Sequence, residues 1–414
     1  MCKGSFRTKM CNMNLILFDQ PDLRTALKPF TYTRPTAGIR IGILTIVEKW
    51  EKSLDTESSY LTATYLQEKF PLWVAEQNNL VINGALCPNP ALLEAIQALE
   101  AGESLVADGK LLAGLYSEAQ LGEFDGEHPV DAAAVVQWEQ EYNLIEEVWH
   151  IYTRNGAEIQ QDFELVTAGR ESVGINDPFT ATYNKEQIFV EEGADIKAAI
   201  LNAENGPIYI GKDAVVQEGA IIRGPFALCE HAQVMLGGKM RGNTTAGPWS
   251  KLGGEVDTAV VFGYSNKGHE GYLGHSVLGE WCNLGADTNS SNLKNNYAPC
   301  KLWSFKKEGF VNTGEQFVGL IMGDHAKAGI NTMFNTATVV GVGSNVFGAG
   351  YPRNYIPSFS WGGHGGYSTF PLPRVVEVAK RVMARRGLEF SEVDFKILAH
   401  VFQETKVHRV WENK

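Results

Sequence analysis

Three things that the sequence lacks narrow the classes of protein to which it can belong. It contains no run of 18 apolar residues, so we expect no membrane-spanning helix. Its six cysteines are scattered singly, without a CxxC pair or the spacing of a disulfide framework, which fits a reducing cytoplasm. Positive charge is also scarce: the formal net charge is -12, which argues against a general nucleic-acid-binding surface. We therefore expect a cytoplasmic protein that binds neither a membrane nor nucleic acid.

The most regular feature of the sequence is a six-residue repeat between Ile208 and Gly350. Each unit begins with an apolar residue, often followed by glycine, and has a small residue four places after the first. Such a short period is typical of a β-helix, in which each hexapeptide forms one flat side and three make one triangular coil. The apolar residue then points at the axis, because only a small residue fits the tight corner. The units begin at Ile210, Val216, Ile222, Leu228, Leu278, Leu284, Met322, Ala328, Phe334 and Val340.

The amino-terminal part of the chain has a different pattern, in which short apolar runs alternate with amphipathic segments. This alternation predicts an α/β layer fold. We predict strands at Leu15–Phe18 and Leu80–Asn83, and helices at Ala91–Leu99, opened by Pro90, and at Ala132–Tyr142. The domains predicted in this way are an α/β domain over 14–183, a β-helix over 186–370 and a helical tail over 371–414, with a disordered extension at residues 1–12.

One long interruption of the repeat begins at residue 290, and the register returns only at Met322. The segment is polar, aromatic and basic together, and a loop of that length within a regular solenoid is usually functional. Its lysines are candidates for contact with a phosphate, although a solvated charged surface is the alternative for any one of them. They are Lys294, Lys301, Lys306 and Lys307.

A further pattern crosses the boundary between two coils of the predicted β-helix. It consists of Gly-His, a Tyr three residues after the His, a Leu-Gly pair, a Gly-Ala pair within a hexapeptide, and an Asn twenty-three residues after the His. These positions are Gly268, His269, Tyr272, Leu273, Gly274, Gly285, Ala286 and Asn292.

This pattern resembles the acetyltransferase half of bifunctional GlmU-type enzymes and of related archaeal sugar-phosphate transferases. The resemblance implies a left-handed parallel β-helix, a homotrimer with sites between subunits, and acetyl-CoA as cosubstrate. It assigns His269 as the base that removes a proton from an amino sugar, a step for which an imidazole titrating near neutrality is suited. It also places Tyr272 and Asn292 at the sugar and the acetyl group, and Ala286 and Ala349 along the coenzyme A channel.

The chain departs from that family in the residues for the sugar phosphate. The family has an Arg some thirty residues before the base and a Lys about twelve residues before it. Here the first region offers Lys239 and Arg241, whereas residues 253–261 contain no Lys. Phosphate recognition must therefore differ, and we predict Lys239, Arg241 and Lys301 as substrate-binding residues.

The amino-terminal half resembles a sugar nucleotidyltransferase, and more closely a divergent bacterial branch of GlmU type, marked by residues 30–40 and 86–93. The resemblance implies a sugar 1-phosphate and a nucleoside triphosphate as substrates, with Mg²⁺ as cofactor. The glycine-rich phosphate loop of such enzymes is missing, and Asn83 stands where their metal-binding Asp is expected. Besides Asn83, the residues predicted to bind the nucleotide are Arg24, Lys28, Arg34 and Arg40.

The sequence therefore predicts a bifunctional GlmU-like transferase that joins a sugar 1-phosphate to a nucleotide and N-acetylates an amino-sugar phosphate. Two alternatives stay open. The first is an acyltransferase whose amino-terminal domain binds or regulates without catalysis. The second is a non-enzymatic scaffold built on the same coils, because fold alone does not determine function.

Overall fold

A computed structural model describes residues 13–413, so the extension predicted at residues 1–12 lies outside the described part. The chain divides into two compact units. The first contains the residues up to Leu27 together with Arg34–Ile39 and Leu44–Glu146, and the second contains Lys28–Thr33, Arg40–Ile43 and the residues from Glu147 onward. The predicted domain boundary at residue 183 and the division after Glu146 are thus different positions.

The first unit is built on a six-stranded sheet with the spatial order β2 (Ser58–Leu61), β1 (Asn14–Phe18), β3 (Asn79–Asn83), β6 (Lys110–Tyr116), β5 (Ser104–Ala107) and β7 (Val135–Gln137). Strand β1 lies parallel to both β2 and β3, whereas β6 runs antiparallel to β3 and to β5. The α/β prediction is confirmed, as are the strands near Leu15 and Leu80 and the helix that Pro90 opens. Two further strands, β4 (Leu86–Cys87) and β8 (Asn143–Leu144), pair antiparallel with each other.

Short helices connect these strands. The capping box of Thr45 and Glu48 fixes the start of helix α2 (Ile46–Leu54), and Asn89 caps helix α3 (Pro90–Ala98) by accepting a hydrogen bond from the Leu92 amide. The helix predicted over Ala132–Tyr142 is wrong, because Val135 and its neighbours pair with β5 as an edge strand. The other helices of this unit are α1 (Pro21–Ala26) and α4 (Glu118–Glu123), with 3₁₀ turns at Thr36–Gly38 and Thr64–Leu66; the 3₁₀ turn at Phe30–Tyr32 belongs to the second unit.

The second unit is a left-handed parallel β-helix. Two α-helices precede it in the chain and two follow it. The helices are α5 (His150–Thr153), α6 (Asn155–Thr167), α7 (Leu372–Ala384) and α8 (Glu392–Glu404), and 3₁₀ turns lie at Lys185–Gln187, Thr405–His408 and Val410–Asn413. The strands are β9 (Ala181–Tyr183), β10 (Ile188–Val190), β11 (Asp195–Ile196), β12 (Ile200–Asn202), β13 (Ile208–Ile210), β14 (Val215–Val216), β15 (Ile221–Arg223), β16 (Phe226–Leu228), β17 (Gln233–Val234), β18 (Lys239–Met240), β19 (Thr244–Ala246), β20 (Lys251–Leu252), β21 (Glu255–Gly263), β22 (Asn266–Lys267), β23 (Tyr272–Glu280), β24 (Asn283–Leu284), β25 (Asn289–Ser290), β26 (Lys301–Ser304), β27 (Gly309–Asn312), β28 (Leu320–Met322), β29 (Lys327–Ala328), β30 (Met333–Phe334), β31 (Thr338–Val340), β32 (Asn345–Val346), β33 (Tyr355–Ile356), β34 (Ser360–Gly363) and β35 (Gly366–Thr369).

Three ladders of parallel strands form the three faces of the prism. Strands β21 and β23 each run through a corner, so that each contributes to two faces: Glu255 pairs with Tyr272 on one face and Val260 with Val277 on the next. The first face contains β10, β13, β16, β19, β28, β31 and β33; the second contains β11, β14, β17, β20, β22, β24, β29, β32 and β34; the third contains β9, β12, β15, β18, β25 and β30.

The interior of the prism confirms the six-residue repeat. Every residue predicted to begin a unit, from Ile210 to Val340, is buried in one hydrophobic cluster. The same cluster contains Met240, Ala246 and Leu252, which continue the period through a stretch where the sequence pattern is less obvious. Each Å² of buried apolar surface contributes about 25 cal/mol to the free energy of folding, and this contribution, repeated from coil to coil, stabilises the stack.

The interruption of the repeat forms a loop with its own hairpin, in which β26 pairs antiparallel with β27. An isolated antiparallel bridge outside these strands pairs Leu293 with Phe317. After the last coils, α7 and α8 follow, and the side chain of Ser391 caps α8 as part of a capping box with Asp394. No helix in the described range 13–413 is long and apolar enough to cross a membrane.

Candidate active site

The second face of the β-helix carries a row of polar side chains. In successive coils Lys251 pairs with Asn266, Asn266 with Asn283, and Asn283 with Lys327. Because side chains alternate between the two sides of a strand, the neighbours Leu252, Leu284 and Ala328 point inward while this row points outward. Parallel stacking therefore brings together two lysines that are far apart in the sequence.

This row forms the floor of a cavity of about 650 Å³, which we call the basic pocket. Among residues 13–413, the charged side chains that line it are all cationic, and none of them is a carboxylate. The pocket contains both His269 and Ala286, which the sequence resemblance assigned to one reaction. Its polar and aromatic lining includes Lys251, Lys327, Arg385, Arg386, His269, Asn266, Asn283, Tyr264 and Trp281.

A buried lysine fixes the turn that presents His269. Lys267 occupies an inward position between Leu252 and the next coil and is 1% exposed, which is unusual for a lysine. Its Nζ donates hydrogen bonds to the carbonyl oxygens of His269 and Glu270, at 2.6 and 2.9 Å. Burial lowers the pKa of Lys267 to about 8. The ammonium thus holds the backbone of the turn, and the side chain of His269 is exposed.

Lys327 is a second lysine of this region, partly buried, and its ammonium makes few hydrogen bonds to the protein. Its Nζ donates to the carbonyl oxygens of Trp281 and His325, at 2.9 and 3.2 Å, and burial lowers its pKa to about 8. Beside it, burial raises the pKa of the Cys282 thiol to about 12, so no nucleophilic thiolate forms there near neutral pH. The Oδ1 atom of Asn266 is buried and has no hydrogen-bond partner among the described residues. The pocket therefore offers positive charge and an unused acceptor to a ligand.

The end of α7 and an aromatic stack complete the wall. The guanidinium of Arg386 lies 5.7 Å from the ring centre of Trp249 and donates to the Trp249 carbonyl oxygen. The rings of Tyr264 and Trp281 stack at 4.3 Å with an interplanar angle of 13°. Cations beside flat aromatic rings suit a ligand that combines phosphates with a base.

A second polar cluster lies on the third face, and we call it the Tyr272 cluster: Tyr272, His275 and Asn292. Nδ2 of Asn292 donates to the hydroxyl of Tyr272 at 2.9 Å and also faces Nδ1 of His275 at 2.9 Å. Gly274 makes this approach possible, because a Cβ there would lie 2.3 Å from the Tyr272 hydroxyl and 2.7 Å from Nδ2 of Asn292. The Leu-Gly pair of the sequence pattern thus has a steric reason.

His275 is held at the corner of its coil by rings on two sides. Phe317 stacks on the imidazole at 5.0 Å, and Tyr152 meets it edge-on at 5.8 Å. Burial lowers the pKa of His275; the carboxylate of Asp257 opposes this effect, and Arg241 adds to it. The imidazole is therefore neutral near pH 7.

Ion pairs next to this cluster involve the predicted phosphate ligand Arg241. Its Nη1 lies 3.3 Å from an oxygen of Glu255 and 3.6 Å from one of Asp257. Asp257 is in register with Gly274 and lies twelve residues before His269, where the family resemblance predicts a Lys. The Tyr272 cluster thus has a carboxylate beside it at the position for which the resemblance predicts a cation.

The other residues predicted for the acetyl-transfer site lie outside both groups. Lys239 is exposed and pairs with Glu270 at 3.5 Å. Lys301 is exposed at the start of β26, and Ala349 is exposed after β32. Neither Lys301 nor Ala349 is among the residues that line the basic pocket.

In the first unit, the ends of β1 and β3 are occupied by the chain's own side chains. Asp19 accepts hydrogen bonds from the Thr36 amide and the Thr62 hydroxyl, and pairs with Arg24 at 3.1 Å. Arg24 also donates to the Tyr65 hydroxyl. The predicted phosphate ligand Arg24 is therefore engaged with a carboxylate, and Arg34 is 7% exposed.

Asn83 does not have a free amide to offer to a metal ion. Its Nδ2 donates to Gln20 and to the Leu111 carbonyl oxygen, and its Oδ1 accepts from the Ala85 amide. Among residues 13–413, no group of three or more His, Cys, Asp or Glu side chains is arranged to hold a metal. The side chains present here do not fit a protein-held Mg²⁺ ion.

Two further predicted nucleotide ligands belong to the second unit. Lys28 pairs with Glu404 at 2.7 Å. Arg40 is 7% exposed and donates to the backbone oxygens of Ile43 and Phe262. Contact with a phosphate would require these bonds to break, and the four predicted cations do not form one cluster within either unit.

Several residues of these sites escaped the sequence reasoning. Lys267, His275 and Lys327 were not predicted as site residues, because a lysine or histidine in a coil is usually interpreted as a surface residue. For Lys267 a signal does exist: it lies six residues before Leu273, at a position that the period assigns to the interior. In the sequence, the change of charge at Asp257 was visible only as the absence, from residues 253–261, of the Lys that the family resemblance predicts.

Comparisons with known proteins agree with the resemblance seen in the sequence. Residues 15–171 match the model of a family described as sugar nucleotidyl transferase. The bifunctional protein GlmU of Methanocaldococcus jannaschii is 30% identical over 164 residues, which are 36% of this chain and 36% of that protein. The GlmU of Corynebacterium glutamicum is 28% identical over 204 residues, 46% of this chain and 38% of that protein. The similarity to GlmU-type proteins is thereby confirmed, while the matches span only a little more than a third of these relatives.

One solved structure with a similar chain is the UDP-N-acetylglucosamine acyltransferase from Campylobacter jejuni. It is 14% identical, with a TM-score of 0.25, over 55% of this chain and 96% of that chain. A TM-score this low carries no information about function.

Proposed function

We propose that this chain is a bifunctional GlmU-like transferase. Its β-helix transfers an acetyl group from acetyl-CoA to the amino group of an amino-sugar phosphate, and its amino-terminal unit joins a sugar 1-phosphate to a nucleoside triphosphate. The observation that carries the first activity is the basic pocket, which contains His269 and Ala286 among cations and without a carboxylate. We place the enzyme in the cytoplasm.

The basic pocket is suited to acetyl-CoA for reasons of charge and shape. The phosphates of coenzyme A are polyanionic, and Lys251, Lys327, Arg385 and Arg386 line the cavity in a chain whose net charge is -12. The stacked rings of Tyr264 and Trp281 lie in the same wall. A donor on the ligand would satisfy the buried Oδ1 of Asn266, which lacks a protein partner.

His269 would act as the general base. The acceptor's ammonium first loses one proton to solvent, and as the free amine then attacks the thioester carbonyl the imidazole takes a second proton from its nitrogen. The C–N bond forms as the C–S bond breaks, and the departing thiolate takes the proton from the imidazolium. The products are an N-acetylated sugar and free coenzyme A. The turn held by Lys267 presents the imidazole for this step.

The Tyr272 cluster would receive the acceptor sugar. Tyr272 and Asn292 lie within hydrogen-bond distance of each other, as two residues that bind one sugar would. Arg241 and Lys239 are the cations available for its phosphate, and Lys301 belongs to the long loop. Because Asp257 replaces the family's Lys beside Arg241, we expect a weaker hold on that phosphate than a second cation would give.

We further propose that the active form is a homotrimer with sites completed between subunits, and that Ala349 lines the coenzyme A channel in that assembly. Flat faces of a β-helix are suited to symmetric packing. Light scattering coupled to gel filtration tests this, and a monomer with full acetyl-transfer activity would refute it.

For the amino-terminal unit a second candidate function is favoured by particular contacts. Asp19, Arg24 and Asn83 are already bonded to other residues at the ends of β1 and β3. This supports an amino-terminal unit that does not catalyse nucleotidyl transfer, with acetyl transfer as the activity of the chain. Calorimetric titration with UTP and dTTP, with and without Mg²⁺, separates the two, since metal-dependent binding supports nucleotidyl transfer and its absence supports the second candidate.

One incubation tests the whole proposal. Glucosamine 1-phosphate, acetyl-CoA, UTP and Mg²⁺ are added to the full chain, and the products are read by mass spectrometry. Release of free coenzyme A with an acetylated sugar supports acetyl transfer, and a nucleotide sugar with pyrophosphate supports the second activity. A chain that neither binds nor consumes acetyl-CoA at millimolar concentration is instead a scaffold.

A further inference from the structure

The imidazole of His275 is the one ring of the Tyr272 cluster whose role neither the sequence nor the family resemblance supplies. It is clamped between Phe317 and Tyr152, and its position is fixed from the backbone as well, since the Gly319 amide donates to the His275 carbonyl oxygen at 2.9 Å. Two ring contacts and a backbone hydrogen bond thus fix the orientation of the imidazole.

The hydrogen bond to Asn292 determines which ring nitrogen of His275 holds the proton. Nδ2 of Asn292 is an amide donor, and one of its hydrogens goes to the Tyr272 hydroxyl and the other to Nδ1 of His275. Nδ1 is then the acceptor, so that the neutral ring carries its proton on Nε2. Nε2 has no hydrogen-bond partner in the described part of the chain, and it is not among the atoms sealed from solvent.

We propose that His275 is a third acceptor-binding residue, which donates a hydrogen bond from Nε2 to an oxygen of the amino-sugar acceptor. This inference rests on the proposed acetyl transfer. Two features of the cluster support it: the ring is neutral, so it offers a donor without repelling the acceptor's ammonium, and its Nε2 lies in the same cluster as the Tyr272 hydroxyl and the Asn292 amide. A site built to hydrogen-bond an oxygen of its substrate discriminates strongly against analogues that lack this oxygen.

Two substitutions separate the two nitrogens of the ring. His275→Asn keeps an acceptor near the position of Nδ1 and tolerates the positive φ of 50° at this corner, but it removes the donor. His275→Gln places an amide N–H near the position of Nε2. We expect the KM for glucosamine 1-phosphate to rise about tenfold or more in His275→Asn and to stay within about threefold in His275→Gln, with the Kd for acetyl-CoA unchanged in both.

A structural role of the ring would give a different pattern, in which both variants lose thermal stability and activity in parallel. Nitrogen NMR of histidine-labelled wild-type protein adds a measurement that needs no variant. The expected result is a proton on Nε2 of His275 whose resonance shifts when glucosamine 1-phosphate is added. Equal KM values in wild type and His275→Asn, or an unshifted resonance at saturating acceptor, overturns the inference while acetyl transfer stands. A wild-type chain that transfers no acetyl group overturns the proposed function itself.

Discussion

The hydroxyl of Tyr272 lies 2.9 Å from Nδ2 of Asn292, although twenty residues separate the two in the sequence. The distance is short because Leu273, next to Tyr272, pairs with Ser290 in the following coil, just before Asn292. One turn of the prism therefore converts a sequence separation into a contact.

The first prediction concerns His269 as the base. Replacing it with Ala should lower acetyl transfer by about 10²-fold or more, since that is the usual contribution of a general base. Folding should change by no more than about 0.5 kcal/mol, because the side chain is exposed. Coenzyme A release measures the rate, and His128→Ala, an exposed histidine of the first unit, is the matched control. Unchanged turnover in His269→Ala would end the assignment.

The second prediction concerns the steric role of Gly274. In Gly274→Ala the new Cβ would lie 2.3 Å from the Tyr272 hydroxyl, so Tyr272 and Asn292 must move apart. Overpacking of this kind costs roughly 1–3 kcal/mol of stability. We expect the KM for the acceptor to rise while the Kd for acetyl-CoA stays the same. Gly122→Ala, where an added Cβ meets nothing within 4 Å, should leave both constants unaltered.

The third prediction concerns Lys327 in the basic pocket. Its pKa of about 8 means that the ammonium is lost as the pH rises through that value. The affinity of the wild type for acetyl-CoA should therefore weaken above pH 8, and Lys327→Met should bind roughly tenfold more weakly at pH 7 without that pH dependence. Calorimetry at pH 7, 8 and 9 measures both effects. Lys380→Met, an exposed lysine of α7, serves as control, and a variant that binds as tightly as wild type would contradict the pocket assignment.

The fourth prediction concerns Asp257 and the acceptor's phosphate. Asp257 lies 3.6 Å from Nη1 of Arg241, so Asp257→Asn removes a negative charge beside the proposed phosphate ligand. The KM for glucosamine 1-phosphate should fall by about two- to tenfold, whereas that for unphosphorylated glucosamine should not. The ratio of the two constants is the measurement. A parallel change for both sugars would show that Asp257 does not act on the phosphate.

The fifth prediction concerns the buried lysine of the prism interior. Native Lys267 has a pKa of about 8, below the value of about 10.4 for an unfolded lysine, so between these values the unfolded chain binds more protons. Stability must therefore rise with pH across that window, by on the order of 1–3 kcal/mol. Lys267→Met lacks this contribution, so the wild type should gain stability relative to it between pH 8 and pH 10 in urea unfolding. A difference that stays constant with pH would mean that the ammonium is not desolvated.

Much of the β-helix was predictable because its physical cause repeats. The residues from Ile210 to Val340 that begin the units were all identified as inward-facing, and all are buried. The helix predicted at Ala132–Tyr142 failed for the opposite reason, since an isolated segment takes its structure from the strand beside it, here β5. The local sequence pattern predicts structure reliably where many coils repeat the same packing, and poorly where the structure of a segment depends on a single neighbouring strand.

The candidate sites divide in the same way. The spacing of His269, Tyr272 and Asn292 is a property of the sequence, and so is the order of the strands along each coil. The contacts of these residues cannot be read from the sequence. In the structure His269 lines a pocket together with Lys327, whereas Tyr272 lies with His275 and Asn292 on another face.

The sequence by itself determined the prism, because an apolar residue every six positions can be buried in no other simple way. Only the tertiary structure decided which polar side chains meet, which lysines lose their water, and which side chains occupy the ends of β1 and β3. The physical reason is that a contact between coils depends on the backbone conformation at each corner and on which residues of the long loop pack back against the prism. The six-residue period specifies neither.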